Sequence, residues 1–271
     1  ADPNSINNCR VKMEECIEEI RCWMSANKLK LNSSKTEVLV IGSRHHGPIS
    51  FPGLTIGQDI IHTSKSARNS GVLFDSSLSM EAHVKNITRQ AFYHLRNIGR
   101  IRKYLTKEAT ETIVHAFVTS KLDYCNSLLY GLPQCLLQKL QHVQNTAARI
   151  VMCSSKFEHV TPILKDLHWL PIEQRVIFKV LLLTYKTLNN QAPVYLSDLI
   201  VPYNPSRVLR SSSQNLLCVP KTNYIRYGNR AFFKSAPVLW NSLPPTIRAK
   251  PTLESFKSSL KTYLFSVAYG Q

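Results

Sequence analysis

Met80-Glu81-Ala82-His83-Val84-Lys85-Asn86-Ile87-Thr88-Arg89-Gln90-Ala91-Phe92-Tyr93-His94-Leu95-Arg96-Asn97-Ile98 carries two patterns at once. Met80, Val84, Ile87, Ala91, Leu95 and Ile98 recur at helical spacing and make one apolar stripe. Lys85, Arg89, Arg96 and Arg100, continued by Lys103 and Lys107, make a basic row with Tyr93 in its widest gap. If the helix runs past Gly99, the row lies opposite the apolar stripe. No acid occurs between Glu81 and Glu108. Solvated helix faces usually mix both signs so that side chains pair along the helix. A face of one sign repels itself unless a counter-charge lies on it. The row therefore predicts contact with phosphates. Six such contacts would make log affinity for a duplex fall by about 5 per decade of salt.

Working outward, the period changes on either side of residue 79. Before it, residues 8–26 read as a helix with Met13, Ile17, Ile20 and Met24 on one side. Leu29 to Ile41 reads as a turn followed by a buried strand. The short apolar runs 54–56, 59–61 and 71–74 read as small antiparallel strands, with Gly57-Gln58 as a two-residue turn. After it, helices are expected over about 107–129 (Ile113, Phe117, Tyr124, Leu128), from Leu136 to Ile150, from Val160 to Leu167, and from Ile172 to Leu188 behind Pro171. The prolines between Pro193 and Pro251 argue against long helices there. Thr252 should cap a last helix with Leu253, Phe256, Leu260, Leu264 and Val267 on its apolar side. The fold class read from this is α+β and predominantly helical. The expected parts are a small β region over 1–78, a helical bundle over 79–197 and a basic C-terminal region over 198–271.

The 271 residues include 34 Lys+Arg against 17 Asp+Glu, a net charge of +17, and 44% are hydrophobic. That is a globular composition with an excess of positive charge, which points to a polyanion, nucleic acid before others. Residues 199–253 contain no Asp or Glu. They carry Arg207, Arg210, Lys221, Arg226, Arg230, Lys234, Arg248 and Lys250, interleaved with Tyr203, Tyr224, Tyr227, Phe232, Phe233 and Trp240. Arginine and aromatic rings together suit single-stranded nucleic acid. Phe232, Phe233 and Trp240 fit better as core residues. Seven scattered cysteines form no C-x-x-C pair, and Cys153 with His159 and His168 fits no common zinc spacing. Buried reduced thiols are expected instead, which suggests a nuclear or cytoplasmic protein. The polar N-terminus has no signal-peptide pattern, and no apolar run is long enough to span a bilayer. No membrane partner is expected, and the oligomeric state is left open. The missing initiator Met suggests a fragment.

Several segments in order resemble the polymerase of non-LTR (LINE-type) retrotransposons, of the jockey-like branch. They are Trp23-Met24 through Leu29-Lys30-Leu31-Asn32, Lys35-Thr36-Glu37 leading into Val38-Leu39-Val40-Ile41, and Ser70-Gly71-Val72-Leu73-Phe74-Asp75 with Leu78-Ser79 and His83. Further on come Leu122-Asp123-Tyr124-Cys125-Asn126-Ser127-Leu128-Leu129-Tyr130-Gly131, Gln144-Asn145-Thr146-Ala147-Ala148-Arg149 and His168-Trp169-Leu170-Pro171. Arg230-Ala231-Phe232 and Pro237-Val238-Leu239-Trp240-Asn241-Ser242-Leu243-Pro244 extend the likeness over almost the whole chain. Each motif is weak alone; their order makes the match.

The resemblance implies a reverse transcriptase fragment: the end of a palm, a thumb and a C-terminal region. Lys35 would be the phosphate-side lysine that follows the catalytic aspartates, acting only in the full-length enzyme. Gly71, Val72, Leu73, Phe74 and Asp75 would form a hairpin that grips the primer end. The row on the helix after 79 would follow a template–primer backbone, reading shape and phosphate rather than sequence. The family's acidic turn is not matched, since Pro3 follows Asp2 and no aromatic precedes it. Magnesium is expected only with those missing aspartates, so no cofactor and no polymerase activity are expected of this chain alone. The expected partner is RNA, DNA or their hybrid. Rival readings are a co-opted RNA- or DNA-binding protein, a helical scaffold for acidic proteins, and a decayed remnant.

Overall fold

The computed structural model describes residues 3–42, 51–203, 214–223 and 225–270. Residues 1–83 and 84–271 form two compact units. The architecture is α+β, predominantly helical, with two small antiparallel hairpins.

In the first unit α1 (Pro3–Ala26) is tied to β1 (Leu54–Ile56), because the Thr55 N–H donates to Glu14 Oε1 at 2.8 Å. The apolar side expected on α1 is not buried: Ile17 and Met24 are half-buried, and Met13, Ile20 and Trp23 are exposed. β1 pairs antiparallel with β2 (Asp59–Ile61) across the Gly57-Gln58 turn. β3 (Ser66–Asn69) pairs with β4 (Val72–Asp75) across Ser70-Gly71. Both turn residues there have positive φ, 46° and 83°, so the backbone twists with the strands and glycine takes the more open value.

The buried strand expected at Val38–Ile41 is not formed. Only Val38 makes a bridge, a parallel one to Thr63, and the Ser64 N–H donates to its carbonyl at 2.7 Å. A strand needs a neighbour that continues the ladder. Among the described residues none runs beside Leu39 and Val40, and Ile41 is 50% exposed.

In the second unit, α2 (Glu81–Ile101) continues past Gly99 and then tightens into a 3₁₀ turn over Arg102–Tyr104. The helix expected over 107–129 is broken up: α3 (Lys107–Val114), a π-helical turn over His115–Thr119, α4 (Ser120–Asp123), then a 3₁₀ turn over Asn126–Leu129. Tyr124 is extended and Cys125 left-handed, at φ 50°, so the chain bends between them. The inward side also differs from the expectation. Val114, Val118, Leu122 and Leu129 are buried, while Phe117, Tyr124 and Leu128 are exposed. Inward residues four apart drift around an α-helix, and the wider π turn keeps them on the core.

α5 (Gln134–Met152) buries Leu136, Leu140, Val143 and Ala147 as its periodicity predicts. α6 (Val160–Asp166) and α7 (Ile172–Leu188) follow, with Pro171 at the N-cap of α7. α8 (Val194–Ser197) and α9 (Ile225–Gly228) are single turns. α10 (Phe232–Ser242) holds Pro237 inside it, contrary to the expectation from proline content. A proline removes one helical hydrogen bond, and here it is buried on the same helix as Ala236 and Trp240. α11 (Pro245–Arg248) leads to α12 (Leu253–Tyr269), capped by a reciprocal pair between Thr252 and Ser255. One core joins α7, α10 and α12, with Tyr185 stacked on Phe256 at 4.3 Å and Trp240 beside the same ring at 5.9 Å. Residues on both sides of position 198 thus share this core.

Candidate nucleic-acid interface

The helix α2 explains the placement of the basic row. At about 100° per residue, Lys85, Arg89, Tyr93, Arg96 and Arg100 fall within about 80° of arc, and the apolar stripe is centred nearly opposite. The burial agrees: Val84, Ile87, Ala91, Leu95 and Ile98 are buried, and all five row residues are exposed. Over 15 residues the row runs about 22 Å, the rise of some six nucleotides of one strand. Because α2 ends at Ile101, Lys103 lies on the 3₁₀ turn and Lys107 begins α3, so helical spacing no longer places these two on that face. Both are exposed, and Lys103 Nζ sits 4.8 Å from the Tyr104 ring centre.

Among the described residues no carboxylate makes an ion pair with any of these cations. The contact closest to a tether is Arg89 to Asn86 Oδ1 at 3.5 Å, too long to fix the guanidinium. The neighbouring Arg102 behaves differently. It donates to the carbonyls of Ile150, Leu105 and Val151 at 2.7–2.9 Å and anchors the turn to the end of α5. Lys85, Arg89, Arg96 and Arg100 are heads in water with no carboxylate partner among the described residues, whereas the charge of Lys107 is felt by the adjacent Glu108; Arg102 is a structural clamp.

The C-terminal basic residues separate from the row. Arg207 and Arg210 lie outside the described residues, as does Tyr224, and the side chain of Arg226 is likewise outside them. Arg230 reaches the carbonyls of Tyr130 and Leu128. Lys234 donates to the Pro220 carbonyl at 2.7 Å. Arg248, 6% exposed, donates to the carbonyls of Gln214, Asn241 and Leu243, and burial lowers its pKa. Trp240 is core, with its indole N–H on the Asn215 carbonyl at 2.8 Å, and Phe232 packs against that core.

In the first unit Lys35 is exposed on a 3₁₀ turn over Ser33–Lys35. Gly71 to Asp75 form part of the turn and the second strand of the second hairpin. Val72 is buried, and the Leu73 N–H donates to Nδ1 of His83, which is 3% exposed. Burial and then the charge of Arg68 lower the His83 pKa, so the ring stays neutral and can accept. Partial burial pushes the Asp75 carboxyl up, but hydrogen bonds from Ser79, Ser77 and Met80 outweigh it and leave its pKa low. Asp75 thus holds the turn into α2.

The motif segments 122–131 and 168–171 meet across a cavity of about 450 Å³ in the second unit. Its polar groups mostly bond one another. Arg175 pairs with Asp123 at 2.7 Å, and the Trp169 indole donates to Glu111 at 3.3 Å. Tyr269 donates to the Trp169 carbonyl, and its pKa is pushed up to about 12, chiefly by burial. This cluster ties α3, α4, α7 and α12 together. No group of three His, Cys, Asp or Glu side chains among the described residues could hold a metal ion. The cysteines are unpaired as expected but not buried: five are exposed, and Cys125 and Cys218 are half-buried. No described helix is long and apolar enough to cross a membrane. Comparison with family models, with curated proteins and with solved structures finds no match to this chain.

Proposed function

We propose that this chain holds nucleic acid along the exposed basic face of α2, as the template–primer-holding part of a retrotransposon-type RNA-directed DNA polymerase or a protein descended from one. The observation that carries this reading is the set Lys85, Arg89, Arg96 and Arg100, exposed on one helix face and in no ion pair among the described residues. A net charge of +17 supplies long-range attraction for a polyanion. In this reading the second unit serves as a thumb, β3–β4 as the primer-grip hairpin, and Lys35 as a cation beside the phosphates. The sequence motifs support those roles through the resemblance alone. The reading assigns holding, not nucleotidyl transfer.

The test is a salt titration of binding to labelled RNA, DNA duplex and hybrid. Four phosphate contacts give a log–log slope of about −3.6 on duplex. Changing Lys85, Arg89, Arg96 and Arg100 to Glu should remove that slope while leaving the fold intact, since all four heads are in water. Unchanged affinity refutes the reading. Equal binding to an acidic polypeptide of matched charge would favour a scaffold for acidic proteins.

A further inference from the structure

Beside the basic row two rings of α2, Tyr93 and His94, meet a third, Phe117 of the π turn. His94 meets Tyr93 edge to face at 5.5 Å, with 77° between the planes. It also stacks on Phe117 at 5.3 Å, with 27° between the planes. Tyr93 is 63% exposed and Phe117 is 48% exposed. Large apolar rings are normally driven inward, and this position had an alternative. The π turn over His115–Thr119 puts Val114 and Val118 on the core and leaves Phe117 on the surface against His94. Such turns occur often at functional sites. Lys121 Nζ bonds Gln90 Oε1 at 3.1 Å, so α4 is pinned alongside α2 and the Phe117 ring is held at a fixed place.

Tyr93 lies one helical turn from Arg89 and from Arg96, both of them unpaired cations. We infer that Tyr93, His94 and Phe117 form a stacking platform for unpaired bases of a single strand whose phosphates lie along Arg89, Arg96 and Arg100. This rests on the nucleic-acid reading of α2 and narrows it. A duplex offers that face only phosphates and sugars, because its bases are stacked on one another. A single strand can turn its bases onto exposed rings, and every base has a face that stacks. Charge selects the polyanion, and the adjacent rings select the strand with free bases. Stacking reads the faces of the bases and not their edges, so the platform should be indifferent to sequence.

The experiment uses the full chain, an oligothymidylate of about 16 nucleotides and a duplex of the same length, at one salt concentration. Changing Tyr93 and Phe117 together to Ala should weaken single-strand binding by at least about tenfold. Duplex binding should change less than about twofold, and the salt slope on either should stay put, because the phosphate contacts remain. The pair Tyr93→Phe and Phe117→Tyr keeps the rings and should restore single-strand binding, which excludes a folding defect. Equal loss on both probes, or no loss on either, overturns the platform. If charge reversal on α2 abolishes binding and the ring variants do not alter it, the platform alone fails. If the unaltered chain binds neither probe, the nucleic-acid reading fails and takes the platform with it.

Discussion

The basic face of α2 and the acid-free segment 199–253 look alike in sequence and are put to different uses by the fold. Both are rich in Lys and Arg, both contain aromatics, and both lack acids. On α2 the charged heads project into water and the rings beside them are exposed. In the C-terminal segment Arg230, Lys234 and Arg248 reach back to main-chain carbonyls, and Trp240 fills the core. A guanidinium carries donors enough to satisfy several carbonyls, so an arginine-rich segment with few regular elements can stand in for missing backbone pairing. The same composition thus makes an exposed charged face on a long helix and an internal scaffold where the chain is irregular.

The strongest way to break this contrast is the fourfold reversal on α2. It should lower duplex affinity more than about a thousandfold near 0.1 M salt, with the thermal midpoint little changed. Arg248→Met should do the reverse. It leaves several buried carbonyls without a donor and should cost about 3 kcal/mol of stability in a urea melt, while binding per folded molecule stays the same. A melt unchanged by Arg248→Met would mean the C-terminal cations are not structural.

Acid offers a third probe. The His83 pKa is lowered in the folded chain, so the unfolded chain takes up the proton first. The stabilisation is complete above about pH 6.5 and is lost as pH falls from there toward the folded value. As pH falls from there toward the folded value, the protection of the Leu73 amide from exchange should drop, because its acceptor on His83 is protonated. Lys and Arg stay charged over this range. The row on α2 should therefore keep its salt slope while the hairpin loosens. Protection of Leu73 that does not vary between pH 5 and 8 would refute the linkage.

The finest comparison sets single lysines against each other. Lys85→Met should reduce the magnitude of the salt slope by about 0.9 and leave stability alone. Lys234→Met should leave the slope alone and cost about 1 kcal/mol, through the lost bond to Pro220.

Periodicity made much of the architecture legible. The stripes Met80 to Ile98 and Leu136 to Ala147 are buried as read, and the Thr252 cap and the Gly57-Gln58 turn are where the residues place them. Residues that break a pattern without Gly or Pro were illegible. The π turn at His115–Thr119 and the left-handed Cys125 arise because packing needs Val114, Val118 and Leu122 on one side. Hydrophobicity alone favoured Phe117 and Tyr124 for the inside. The segment 38–41 has strand-forming residues, yet a strand exists only where a neighbour pairs with it. For the candidate site, Lys85, Arg89, Tyr93, Arg96 and Arg100 lie on one exposed face as read, since a helix fixes direction as well as spacing, while Lys103 and Lys107 fall beyond its end. It could not distinguish Arg96, which meets water, from Arg102 or Arg248, which meet carbonyls, because that depends on where an irregular chain turns.

Gly99 lies in the last stretch of α2, between Arg96 and Arg100, and a Cβ there would find its nearest neighbour, Ile150, 4.0 Å away. Alanine would therefore fit, and it favours a helix by about 1 kcal/mol over glycine. The chain accordingly carries a helix-weakening residue beneath its most crowded positive charges, at a position where the packing does not demand glycine. Gly99→Ala should raise the melting temperature and stiffen that end of the helix by the addition of a single carbon.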